Sequence, residues 1–232
     1  MPMISIKSLE GKNFDAYCAM PVGDTGPGLI VIQEIFGVNA GMRAICDHYA
    51  SLGYIAICPD LFWRQQPGVE LTDQTPAEWE QAFKFYKGFD VEAGVRDLLA
   101  TLGHIRAMPS CSGKVGAIGY CLGGKLAYLV ASRLDIDATA SYYGVGLESM
   151  TGEIHDIRTP LILHIAALDE YTPEAARTKI LKAVARNPVV SAHIYENVDH
   201  AFARPNGVHF NAEAATLANE RTEKLFAENL KT

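Results

Sequence analysis

Lys114–Ser132 reads KVGAIGYCLGGKLAYLVAS. Lys114 to Gly119 is a short apolar run that predicts a buried strand, and Leu122 to Arg133 has the apolar spacing of a helix. Between them stands Gly119-Tyr120-Cys121-Leu122-Gly123, of the form G-x-nucleophile-x-G. A chain passing from strand to helix this quickly turns so sharply that the flanking positions tolerate little beyond glycine. The turn lifts the central side chain above the sheet edge. The helix behind it offers N–H groups with no intrahelical partner and the positive end of a dipole. Both favour a thiolate at Cys121 and an oxyanion next to it. Free cysteine is ordinarily a small core residue, and Cys18, Cys46, Cys58 and Cys111 are read that way. Cys121 differs because it sits at the turn.

The same alternation extends in both directions. Upstream, residues 28–32 (GLIVI) predict a buried strand, 40–51 a helix closed by Gly53, and 54–58 (YIAIC) a second strand stopped by Pro59. A polar loop covers 60–75. Pro76 suits the first turn of a helix, and the helical pattern runs to about Ile105 with breaks near Gly88 and Gly94. Downstream, strands are predicted over 138–143, 161–165 and 189–195. Thr172-Pro173 reads as an N-cap followed by a proline just inside the next helix, and 212–229 as a terminal helix. Short strands buried on both faces and alternating with helices predict a mostly parallel sheet with helices on both faces. With the elbow added, this is the layout of an α/β-hydrolase fold. No linker interrupts it, so one domain over residues 1–232 is expected.

Composition narrows the function. The 232 residues are 49% hydrophobic and 20% charged, with a net charge of −7. That balance suits a soluble globular chain and disfavours nucleic acid or an anionic membrane, both of which call for basic patches. MPMISIKSLEGK lacks the layout of a signal peptide. No apolar run approaches the roughly 20 residues that span a bilayer. Five scattered cysteines with no C-x-x-C pair indicate neither a zinc site nor a redox motif. A reducing compartment, the cytoplasm, fits best. No cofactor or metal is expected, and a monomer is.

In an α/β-hydrolase the triad runs in the order nucleophile, acid, histidine. The acid should follow a strand beyond Cys121, and Ala166-Ala167-Leu168-Asp169-Glu170 follows the strand at 161–165. Asp169 is the better choice, with Glu170 the alternative. The base should follow the next strand, and His200 lies in the loop after 189–195. His48, His104, His155, His164, His193 and His209 are read as surface or core residues. A thiol is a weak nucleophile until an imidazole takes its proton, and a carboxylate on the far ring nitrogen fixes the tautomer. Glu34 stands just past an earlier strand end. The apolar Ile35-Phe36-Gly37 after it could supply a second oxyanion donor from its backbone.

Several landmarks together resemble the dienelactone hydrolase (carboxymethylenebutenolidase) family: QEIFGVNAGMR, CPDLFWRQQPG, EQAFKFYKGFDVEAGVRDL, the elbow segment, SYYGVGLE, HAFAR and AATLANERT. They cover nearly the whole chain. The resemblance implies a cysteine triad of Cys121, Asp169 and His200, acting without a cofactor on a small enol-lactone that carries a carboxylate. It implies that Glu34 regulates the resting thiol, and that Arg204 holds the substrate carboxylate and pairs with Glu34. It assigns the oxyanion donors to the backbone N–H groups of Leu122 and Ile35, and pocket-lining positions to Phe36 and Tyr142.

The chain departs from the family pattern in one patch. Trp79 stands where the family has an arginine, Phe83 where it has a tyrosine, Tyr86 where it has a tryptophan, and Ala201 where it has a serine. Arginine makes paired bonds to a carboxylate and tryptophan cannot. Another arginine, Arg64 or Arg43, could take the lost role. The competing readings are a broad small-ester or aryl esterase of the same fold, and a binding protein that has kept the fold without catalysis. A glutamine amidotransferase also has a cysteine elbow, but its H-x-E pair is missing from all seven histidines.

Overall fold

The computed structural model describes residues 3–231. The chain divides within one long strand into two compact units, the first ending at Gly116 and the second starting at Ala117.

The first unit holds β1 (Met3–Lys7), β2 (Asn13–Ala19), β3 (Gly26–Ile32), α1 (Ala40–Ser51), β4 (Ile55–Pro59), α2 (Pro76–Lys87), α3 (Val91–Ala107) and the start of β5 (Cys111–Tyr120). Its strand order is β1-β2-β4-β3. β3 and β4 run parallel, with Gly28 opposite Ile55. β1 and β2 are antiparallel to each other, and β2 is antiparallel to β4. The β1–β2 pair has no counterpart among the strands predicted from sequence. Its turn is closed by Ser8 N–H donating to Lys12 O at 2.7 Å.

Side chains set the helix starts. Asn39 caps α1 by accepting from Met42 N–H at 3.1 Å. Thr75 caps α2 through Glu78 N–H at 3.3 Å, and the Glu78 carboxylate accepts in return from the Thr75 hydroxyl, a variant of the capping box. The break between α2 and α3 falls at Gly88, and Asp90 then caps α3. The second break expected at Gly94 is absent. Gly94 lies inside α3, and a Cβ there would stand 2.5 Å from Phe89 Cζ. Its glycine makes room for a ring and does not end a helix.

The second unit holds the rest of β5, α4 (Leu122–Arg133), β6 (Ala138–Tyr142), β7 (Leu161–Ala166), α5 (Glu174–Val184), β8 (Val190–Tyr195) and α6 (Ala212–Leu230). Its strands follow in sequence order, with β6, β7 and β8 parallel. Their C-terminal ends therefore share one edge, where the loops carrying chemistry emerge. α5 starts one residue later than expected: Pro173 is its N-cap and Glu174 its first residue. Thr172 is drawn instead into the preceding turn, its N–H bonded to Asp169 O at 3.1 Å. Among the described residues no helix is long and apolar enough to cross a membrane.

Candidate active site

Cys121 has φ 55° and ψ −112°, between the end of β5 and the first residue of α4. A side chain at such angles is strained, and strain of this kind persists only where neighbours over-determine it. Two contacts do so here. Cys121 N–H donates to Tyr142 O at 3.0 Å, and Cys121 O accepts from Lys125 N–H at 3.1 Å. A Cβ on Gly119 would fall 1.9 Å from Gly123 O, so the turn closes only with glycine there. Leu122 opens α4, where N–H groups lack intrahelical acceptors.

Asp169 and His200 meet. Asp169 Oδ2 accepts from His200 Nδ1 at 2.7 Å, with the two residues 2% and 6% exposed. The other oxygen, Oδ1, accepts from Tyr171 N–H at 2.8 Å, so the carboxylate is held at both ends. Glu170 is exposed. With Nδ1 committed to Asp169, Nε2 is the ring atom left to work. It is buried and bonded to no nitrogen or oxygen among the described residues. Burial pulls the His200 imidazole down. The charge of Cys121 and the bond from Asp169 outweigh burial, and the ring is raised to about 10. Cys121 and Asp169 thus both favour the protonated form of the His200 ring.

Two tyrosines flank this imidazole that the sequence reading did not single out. Tyr143 meets it at 5.1 Å between ring centroids and Tyr171 at 4.9 Å, both edge to face. Tyr143 is the last residue of the strand read over 138–143, and its place at that strand end was the available signal. Arg204 lies four residues past His200, in a turn closed by its own N–H to Ala201 O at 3.0 Å. It is half-buried.

Tyr142 was expected to line a pocket and does not. It is fully buried, and its hydroxyl is turned to Thr222 and Asn219 of α6 at 2.8 and 3.0 Å. A strand residue has two faces to choose from, and this side chain takes the helix-covered one. The remaining expected residues belong to the first unit. Glu34 and Ile35 follow β3, each 4% exposed. Phe36 is 1% exposed, with Trp79 against its ring at 5.1 Å, and Trp79 stacks on Phe83 at 5.5 Å. Trp79 Nε1 donates to Asp73 O at 3.0 Å. Arg43 is bonded to Glu70 and Val38 O, and Arg64 to Asp97 and Glu10.

The sequence matches the model of the dienelactone hydrolase family over residues 14–230. The chain belongs to the dienelactone hydrolase family. It accordingly has the α/β-hydrolase fold and is a carboxylic-ester hydrolase. It is 43% identical over 218 residues to a carboxymethylenebutenolidase of Pseudomonas putida, covering 94% of this chain and 92% of that one. A relative from Azospirillum brasilense, described provisionally as a carboxymethylenebutenolidase, is 48% identical over 99% of this chain and 100% of its own. Among solved structures, a dienelactone hydrolase-like promiscuous phosphotriesterase from metagenomic libraries superposes with a TM-score of 0.82. It covers 99% of this chain and 98% of its own at 23% identity, which speaks to the fold alone.

Proposed function

We propose that this dienelactone hydrolase family member opens a small carboxylate-bearing enol-lactone through a Cys121–His200–Asp169 triad and a covalent acyl-enzyme. The observation that carries the reading is the buried 2.7 Å bond from His200 to Asp169, with Cys121 raised on a strained elbow. In the reaction the Cys121 thiolate attacks the lactone carbonyl. The tetrahedral oxyanion is held by the Leu122 N–H, with Ile35 N–H as the second donor by resemblance. Collapse breaks the ring C–O bond and leaves a thioester. The departing enolate oxygen takes from His200 the proton that the ring had accepted from the Cys121 thiol, which leaves the imidazole neutral. His200 then takes a proton from water, the hydroxide adds to the thioester, and the thiolate is released. Hydrolysis of cis- or trans-dienelactone, abolished by iodoacetamide, tests the whole scheme.

All three triad residues lie on one chain, so a monomer suffices. The cysteines are all free, which supports a reducing compartment such as the cytoplasm.

Substrate charge is the finer question. Of the two positions where the family carries a cation toward the substrate carboxylate, this chain keeps Arg204 and has Trp79 at the other. Losing one charge-assisted bond costs roughly 10- to 150-fold in affinity. Arg204→Gln is therefore expected to lower kcat/KM for a carboxylate-bearing lactone by that factor and to spare its neutral methyl ester. Trp79→Arg is expected to raise the ratio of acid to ester. An unchanged ratio in Trp79→Arg would show that this position does not meet the carboxylate. The aromatic area of Trp79 and Phe83 favours a second reading, an esterase tolerant of bulky or aromatic acyl groups. A side-by-side panel of aryl esters and dienelactone separates the two.

The resemblance further makes Glu34 the regulator of the resting thiol, coupled to Arg204. In kcat/KM the double substitution Glu34→Gln/Arg204→Gln is then expected to be less damaging than the two single losses combined. Strict additivity in that cycle counts against the coupling.

A further inference from the structure

Beneath the loops of the candidate site lies a buried polar chain that the triad chemistry leaves unused. His164, on β7, is fully buried. Its Nδ1 stands 2.7 Å from the Tyr195 hydroxyl and its Nε2 2.8 Å from Thr222 Oγ1. Thr222 Oγ1 is 2.8 Å from the Tyr142 hydroxyl, which donates to Asn219 Oδ1 at 3.0 Å. At the other end Arg221 Nη1 donates to the Tyr195 hydroxyl at 3.0 Å.

The directions of these bonds follow from their ends. Tyr142 spends its one proton on Asn219, so Thr222 must donate to Tyr142 and accept from His164 Nε2–H. A neutral ring then has a bare Nδ1, which accepts from the Tyr195 hydroxyl, while the Tyr195 oxygen accepts from Arg221. The chain runs head to tail with every hydroxyl both giving and taking. His164 is neutral in it: burial first, then the nearby His193 and Arg221, push its imidazole well below the ordinary range.

This chain touches each arm of the candidate triad at one remove. The Tyr142 carbonyl is the acceptor for Cys121 N–H, and the His164 carbonyl is the acceptor for Tyr143 N–H at 2.7 Å. Tyr143, held at φ 37°, lays its ring against His200. β7 leads into Asp169, and Tyr195 is the last residue of β8, which leads into His200. We propose that His164, through Tyr195 and Thr222, is a positioning residue that fixes the strand ends carrying Cys121, Asp169 and His200 relative to one another. The proposal rests on the triad reading above.

The test uses the whole protein with p-nitrophenyl acetate, and reads kcat, KM and the pH midpoint of Cys121 alkylation by iodoacetamide. Thr222→Val keeps the shape and cuts both bonds of Thr222. Misplacing reacting groups by about 1 Å costs up to roughly 10²-fold. Thr222→Val and His164→Leu are expected to lower kcat about 10-fold or more, leave KM nearly unchanged and move the alkylation midpoint. His164→Gln, which can still donate and accept, is expected to recover part of the loss. If folded Thr222→Val shows wild-type kcat and midpoint with only a lower Tm, the chain is structural and the proposal is overturned. Should His164→Leu fail to fold, Thr222→Val alone decides. An active Cys121→Ala enzyme would instead overturn the triad reading itself, so the two failures are distinguishable.

Discussion

Cys121→Ala is expected to lower kcat/KM for p-nitrophenyl acetate at least about 10⁴-fold while the protein stays folded. Removing the nucleophile of a hydrolytic triad leaves only oxyanion binding and positioning, and losses near 10⁶-fold in kcat are known for such deletions. The fold should survive, because the Cys121 thiol contributes little packing and the elbow is held by backbone bonds to Tyr142 and Lys125. Alanine keeps a Cβ at φ 55°, so the strain stays. Cys121→Gly removes it, and is expected to be as inactive as Cys121→Ala but to melt at a higher temperature. Strain at such positions is about 1–3 kcal/mol, offset in part by the added freedom of glycine when unfolded. Cys46 and Cys58 are fully enclosed and Cys18 nearly so, whereas Cys121 is 7% exposed. Burial also pushes the Cys18 and Cys46 thiols up, so intact enzyme should be inactivated in step with alkylation at Cys121. Half-buried Cys111 may be replaced by serine to keep that stoichiometry clean. Turnover by Cys121→Ala, or inactivation that tracks another cysteine, would sink the assignment.

The elbow was legible because its signals are local. A strand run, a glycine pair bracketing the nucleophile and a helix pattern sit within 19 residues, and each constrains the same turn. Asp169 and His200 were legible for a different reason: chain order and a place after a strand leave few candidates. The hairpin of β1 and β2 was not read, since MISIK and NFDAYCA mix polar with apolar residues and lack the continuous apolar run of GLIVI or YIAIC. Gly94 was misread because a glycine that ends a helix and one that admits the Phe89 ring look alike in sequence. Tyr142 was misassigned because adjacent strand residues point to opposite faces. The sequence does not say that Tyr142 turns to α6, nor that Tyr143 packs against His200. The His164 chain was invisible for a related reason. Its links to Tyr195 and Thr222 join positions 31 and 58 residues apart, and nothing local distinguishes His164 from an ordinary core histidine.

Asp169→Asn is expected to cost about 10⁴-fold in kcat, by analogy with the loss of the orienting aspartate in a serine-protease triad, and less if the thiol ionises without help. Asp169 Oδ2 accepts a hydrogen bond from His200 Nδ1–H, which leaves Nε2 as the working atom. An asparagine amide can present its N–H₂ to Nδ1 and stabilise the wrong tautomer, with the ring proton on Nε2. Exposed Glu170 makes no such bond, so Glu170→Gln should leave kcat within about 2-fold, the range of an ordinary surface change. The reverse ranking would show that the wrong carboxylate has been chosen. The same substitution has a signature in stability. His200 is raised from an ordinary 6.5 to about 10 by partners of which Asp169 is one. A group whose folded pKa is raised adds stability that is fully present below its unfolded pKa and is lost as pH climbs through the folded one. Wild type should therefore lose stability between about pH 6.5 and 10, and Asp169→Asn should lose less over that window. The Tm gap between the two proteins should be widest near pH 6 and narrow toward pH 10. A gap that is constant across the range would mean that Asp169 supports the fold without stabilising an imidazolium.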